Sequence, residues 1–143
     1  MTSKLLDNRK ALVNIVKRIA EEAGDITLKY FDESGYDNAD SKTDGSPVTI
    51  ADQEAEIYIE KALLDILPDV PTIGEESVSG GRKTDLSNAD YFWLVDPLDG
   101  TREFISGGEN YTVNIGLIKN GQPVLGVVYA PLLERCYFGY TDD

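Results

Sequence analysis

A bounded apolar run, Phe92-Trp93-Leu94-Val95, leads straight into Asp96-Pro97-Leu98-Asp99-Gly100-Thr101. Such a run reads as a buried strand. It carries two carboxylates, three residues apart, to the edge of a core, where they need a cation or hydrogen-bond partners. Pro97 has no N–H, so strand pairing is expected to end there. The chain then turns through Leu98 and Asp99 to Gly100, and a short helix is expected to open at Thr101. Stripped of its apolar lead-in, the same string is also that of an ordinary surface turn.

The rest of the chain supplies an α+β frame. Leu12, Ile15, Val16, Ile19, Ala20, Ala23 and Ile26 recur at spacings of three and four, which predicts one amphipathic helix from about Leu5 to Phe31. Asp32 to Pro47 is polar and reads as a loop. Thr49 resembles an N-cap, with Asp52 in the first turn. Ala55, Ile59, Ala62, Leu63 and Ile66 form the buried stripe of this second helix, which Pro68 and Pro71 end. Val70 to Gly74 is a short extended segment, and Ser77 to Asp90 a polar loop. Tyr111 to Ile118 and Pro123 to Tyr129 flank Lys119-Asn120-Gly121-Gln122, a strong hairpin signal. Arg135 to Tyr140 reads as a further strand. The expected architecture is two long helices packed on one face of an antiparallel sheet.

Composition removes several kinds of chemistry. The 143 residues contain no histidine, so His zinc sites, Ser-His-Asp triads and histidine bases are excluded within the chain. Cys136 is the single cysteine, so no intrachain disulfide can form, which fits a reducing cytoplasm. No signal peptide is read at the N-terminus, and no apolar run approaches the ~20 residues that span a bilayer. The formal net charge of −13 repels nucleic acid polymers and anionic membranes. A small anionic substrate would then need metal ions to screen it. A calcium loop from Asp40 fails, because Lys42 stands at its third position and Ala51 where the bidentate glutamate belongs. The Asp-x-Asp nucleophile arrangement of haloacid dehalogenase phosphatases also fails, because these aspartates are three apart with a proline between them.

Asp96, the Leu98 carbonyl, Asp99 and Glu75 are therefore the candidate metal ligands. An oxygen-only set suits magnesium or manganese. Free amides after Gly100 would hold an anion, and Thr101 with Asp52 would orient a metal-bound water. Read singly, Asp52 is also a helix-capping acid, and Glu75 and Glu76 are also solvated loop charges. Asn110, Tyr111 and Asn114 read as ordinary strand polar groups, and Trp93 and Tyr129 as core aromatics.

Gly74-Glu75-Glu76-Ser77, Trp93 through Thr101, and Ser46-Pro47-Val48-Thr49 leading to Asp52 together resemble the inositol monophosphatase superfamily of magnesium-dependent, lithium-sensitive phosphatases. Thr101-Arg102-Glu103-Phe104 is similar to its bisphosphate nucleotidases, whereas inositol monophosphatases follow the threonine with Thr-Asn-Phe. The resemblance implies removal of the 3′-phosphate of adenosine 3′,5′-bisphosphate, giving AMP and phosphate, and a place in sulfur metabolism. It implies two or more Mg2+ ions, with Mn2+ as a substitute, held by Glu75, Asp96, Leu98 and Asp99. Asp52, Thr101 and Glu75 would be catalytic. Glu75, Leu98, Asp99, Gly100, Thr101 and Arg102 would face the substrate, although Arg102 equally suits a solvated surface position.

The resemblance further implies the N-terminal half of an αβαβα sandwich, with residues 1–143 as one metal-binding domain. The superfamily's C-terminal half brings a further metal-binding aspartate in a Trp-Asp motif, and none is read after Tyr140, so the chain is expected to be either a fragment of a longer product or a truncated homologue. Alone, the chain is expected to bind metal weakly and turn over poorly. Inositol or sugar phosphatase activity and a non-catalytic, acidic cation-binding module are the alternatives. An open sheet edge would invite homodimers. The superfamily also suggests cytoplasmic placement, with peripheral contact at the inner face of the plasma membrane.

Overall fold

The computed structural model describes residues 4–35, 46–74 and 89–142. Two long helices cover one face of a five-stranded sheet, ordered β1-β2-β3-β4-β5. The elements are α1 (Lys4–Asp7), α2 (Arg9–Leu28), α3 (Pro47–Ile66), β1 (Thr72–Gly74), β2 (Tyr91–Asp99), α4 (Thr101–Ser106), β3 (Thr112–Lys119), β4 (Gln122–Ala130) and β5 (Arg135–Tyr140).

The helix expected from Leu5 is broken at Asn8. This residue leaves helical geometry (φ −119°, ψ 76°), and its side chain accepts a hydrogen bond from the Ala11 amide, capping α2. Arg9, buried at the start of α2, donates from Nη1 to the Thr141 carbonyl and hydroxyl, tying this helix to the strand at the far edge of the sheet. The second helix starts earlier than expected. Ser46, rather than Thr49, is its N-cap, and Pro47 takes the first helical position, where a missing N–H costs nothing. Asp52 therefore lies in the second turn and is not a capping acid.

The sheet is mixed. β2 to β5 are antiparallel, as their alternation and the Asn120-Gly121 hairpin require, but β1 pairs parallel with β2. Both central turn residues have positive φ, the geometry an Asn-Gly pair accepts most readily. Val113, Ile115, Leu117, Leu125 and Val127 point from β3 and β4 toward the helices, where they meet Leu12, Val16, Ile59 and Leu63. Burying each such side chain stabilises by about 1.5–3 kcal/mol before entropy is counted. Trp93 and Tyr129 belong to this core, as their apolar settings suggested. The opposite face lacks a helix among the described residues, and Leu94 and Val128 are exposed there.

A second, smaller core forms where β2 ends. Val48 and Ala51 of α3 pack with Leu98, Phe104, Ile105 and Tyr111, flanked by Phe31. Phe31, Phe104 and Tyr111 meet ring to ring, with centroids 5.1 to 5.7 Å apart.

Candidate active site

Strand β2 does not stop at Pro97 but continues to Asp99, and the reason bears on the chemistry. In a regular strand, residues three apart point to opposite faces. Here Asp96 pairs with Asn114 and Asp99 with Thr112, so β2 holds one more residue than β3 across this interval. The bulge takes up Pro97, whose missing N–H is tolerated at such an irregularity. It also returns Asp99 to the face that Asp96 occupies, because Asn114 and Thr112, two apart on β3, share a face. Asn114 links the two positions. It stands opposite Asp96 and donates from Nδ2 to Asp99 Oδ2 at 3.0 Å, while its Oδ1 accepts from the Thr112 hydroxyl at 2.9 Å.

The turn after Asp99 depends on glycine. Gly100 has φ +101° and caps α4 through its backbone, its carbonyl accepting from the Phe104 amide. A Cβ there would also come within 3.2 Å of the Tyr111 Cα. The small core supports this turn from below. Tyr111 is fully buried and its hydroxyl pairs with the Thr27 hydroxyl at 3.0 Å, tying the turn to the end of α2. Burial raises the Tyr111 phenol above its ordinary value, and the bond with Thr27 opposes that rise.

Helix α3 brings two buried carboxylates toward the same end of the sheet. Asp52 is fully buried in the turn after Val48 and Ala51, the residues that pack on Leu98 and Phe104. Glu56 follows one turn later and is also buried. Its carboxylate sits against Gly74, the last residue of β1, and Gly74 pairs with Val95, the residue before Asp96.

Each candidate from the sequence thus has a position, with one exception. Asp96 is half-buried, with Oδ1 shielded from solvent, and Asp99 is exposed at the strand end. Leu98 is buried beneath them, Gly100 and Thr101 are half-buried, and Arg102 is exposed on α4. Glu75, with Glu76 and Ser77, lies outside the described residues. Asp96 and Asn114 line one end of a groove of about 670 Å³ that runs over Leu94, Gly116, Gly126 and Val128 on the bare sheet face. Among the described residues no group of three or more carboxylate, thiol or imidazole side chains is assembled for a metal. The donors on the Asp96 and Asp99 face are nonetheless oxygen, which fits a hard cation and not a thiophilic one.

A family model described as the inositol monophosphatase family matches residues 8–143. The chain belongs to that family. Among curated relatives it is 42% identical over 126 residues to the 3′(2′),5′-bisphosphate nucleotidase CysQ of Escherichia coli (strain K12), covering 88% of this chain and 50% of that protein. The chain thus spans about half the length of the curated relatives it matches. Among solved structures, CysQ from Bacteroides thetaiotaomicron superposes with a TM-score of 0.67 at 36% identity, over 89% of this chain and 45% of that one. An inositol monophosphatase from Zymomonas mobilis superposes with a TM-score of 0.74 at 31% identity, over 99% of this chain and 50% of its own. The α+β architecture is the one these family members share with it.

Two residues at this end of the sheet carry little signal in the sequence. By sequence Asn114 is an ordinary strand polar group, yet it bonds Asp99. The signal available was its place in an alternating strand, but locating its partner required the register. Nothing in the sequence distinguishes Glu56, because a glutamate within a helix reads as solvated until the packing around it is known.

Proposed function

We propose that this chain supplies the metal-binding half of a magnesium-dependent phosphomonoesterase that removes the 3′-phosphate of adenosine 3′,5′-bisphosphate to give AMP and phosphate. The single observation that carries the reading is the bulge between Asp96 and Asp99, which turns both carboxylates to one face at the mouth of α4. The nucleotidase relatives and the Thr101-Arg102-Glu103-Phe104 string support the substrate class.

In this reading Asp96, Asp99, the Leu98 carbonyl and Glu75 hold Mg2+, with Mn2+ as a substitute. When bound, the metal makes water a stronger nucleophile at neutral pH and offsets charge on the phosphoryl oxygens. Asn114 holds the Asp99 carboxylate in place by donating to Oδ2. Asp52 and Thr101 take and orient the proton of the attacking water. Backbone amides following Gly100 receive the phosphate, because the first N–H groups of a helix have no partner within it. Arg102 adds positive charge beside the substrate. No helix among the described residues is long and apolar enough to cross a membrane.

The reading is tested by magnesium titration of the purified chain and of Asp99→Asn. The variant is expected to bind magnesium at least roughly tenfold more weakly, since a carboxylate ligand and its charge are lost. Unchanged affinity would overturn the metal site and leave a non-catalytic acidic module. Calorimetry with adenosine 3′,5′-bisphosphate and with inositol 1-phosphate, each in magnesium, tests the substrate class, with tighter binding expected for the nucleotide. The Zymomonas mobilis likeness favours inositol phosphates as the second reading, and equal or reversed preference would select it.

A further inference from the structure

Glu56 is a buried carboxylate with no part in the reaction outlined above. It is 2% exposed and sits one helical turn beyond Asp52, on the same face of α3. A carboxylate at such a position is expensive to desolvate, and an apolar side chain of similar volume would pack there more cheaply. What it touches is specific. A Cβ on Gly74 would lie 2.5 Å from Glu56 Oε1, 2.6 Å from Cδ and 3.0 Å from Oε2. Gly74 has no positive φ, so a side chain there would be opposed by the Glu56 carboxylate, which would have to move, and not by the backbone. Strand β1 is three residues long and, among the described residues, pairs only with β2, so its register alone holds its end weakly. Gly74 stands beside Val95, the residue before Asp96.

We propose that Glu56 is a positioning residue for the metal site, its carboxylate seated on Gly74 to fix where β1 ends relative to Asp96. This rests on the metal-dependent reading above. The device joins α3, which carries Asp52, to the strand end that pairs with Val95 beside Asp96.

The test uses the whole chain and magnesium alone as the probe. Calorimetric affinity and metal-free thermal midpoint are measured for wild type, Glu56→Gln, Glu56→Ala, Gly74→Ala and Glu56→Ala/Gly74→Ala. Glu56→Ala is expected to weaken magnesium binding of the folded chain roughly tenfold or more, as loss of a residue supporting metal ligands does, with a lower midpoint from the cavity it leaves. Glu56→Gln keeps the shape and should retain most of the affinity. Gly74→Ala should lose affinity and midpoint together, and in the double variant the two losses should not multiply. Wild-type affinity in Glu56→Ala, equal losses in Glu56→Gln and Glu56→Ala, or fully multiplicative losses would each overturn the proposal. If Gly74→Ala does not fold, the two Glu56 variants decide alone. If wild type binds no magnesium, the functional reading fails. The seating is then judged from the midpoints: recovery in the double variant over Gly74→Ala supports it, and no recovery overturns it.

Discussion

The two cores of this chain do different work. The large one, between α2, α3 and the inner sheet face, is built from aliphatic side chains at regular spacings, with Trp93 sealed among them. The small one, beneath the Asp99 to Thr101 turn, is built around three aromatic rings and a hydroxyl pair. The first satisfies bulk burial and tolerates any good packing. The second is directional. Rings meeting edge to face and a Tyr111–Thr27 bond hold one turn in one orientation. Stability is thus concentrated in one region and the placement of site residues in the other.

The contrast is broken most severely by Leu117→Ala. It empties a fully buried position of the large core and should cost about 2–5 kcal/mol in chemical denaturation. Magnesium affinity of the fraction that remains folded should be unchanged. A loss of affinity beyond the folded fraction would show that the two cores are not separable.

Gly100→Ala acts on the other side of the comparison. Left-handed geometry imposes roughly 1–2 kcal/mol on a residue with a Cβ, and the approach to Tyr111 adds crowding. The stability loss should be smaller than for Leu117→Ala and the loss of magnesium affinity larger. Wild-type affinity in Gly100→Ala would mean that the turn does not present the site.

The smallest effect is expected from pH, at a contact of the large region. Burial, with the Glu22 carboxylate beside it, pushes the Tyr58 phenol up from its ordinary value of 10 to about 12. The folded chain therefore holds this proton more tightly than the unfolded one. The associated stability is complete below pH 10 and is lost as pH rises from 10 through about 12. Denaturation curves across that interval should fall less steeply for Tyr58→Phe than for wild type, and identical slopes would remove Tyr58 from the α2–α3 contact.

The large core was legible because its periodicities are those of the elements that bury it. Leu12, Val16, Ile19, Ile59 and Leu63 repeat at helical spacing, and Val113, Ile115 and Leu117 alternate. The Asn120-Gly121 turn and the helix opening at Thr101 carried their own local chemistry. Other boundaries were not legible. Asn8 breaks a continuous apolar pattern through a single side-chain cap, and Ser46-Pro47 competed with a plausible cap at Thr49. Three residues of β1 are too few to show a period, so its parallel pairing had no signature. Pro97 was expected to end a strand that instead bulges around it.

The sequence by itself determined which residue types could meet. It specified an acidic chain without histidine, two amphipathic helices, a hairpin, and a pair of aspartates at the end of an apolar run. Only the tertiary structure decided that those aspartates share a face, that Asn114 bonds one of them, and that Glu56 rests on Gly74. The physical reason is range. Periodicity and capping act within a few residues, whereas a strand register, a bulge and a buried carboxylate are set by neighbours that the chain reaches only when it folds.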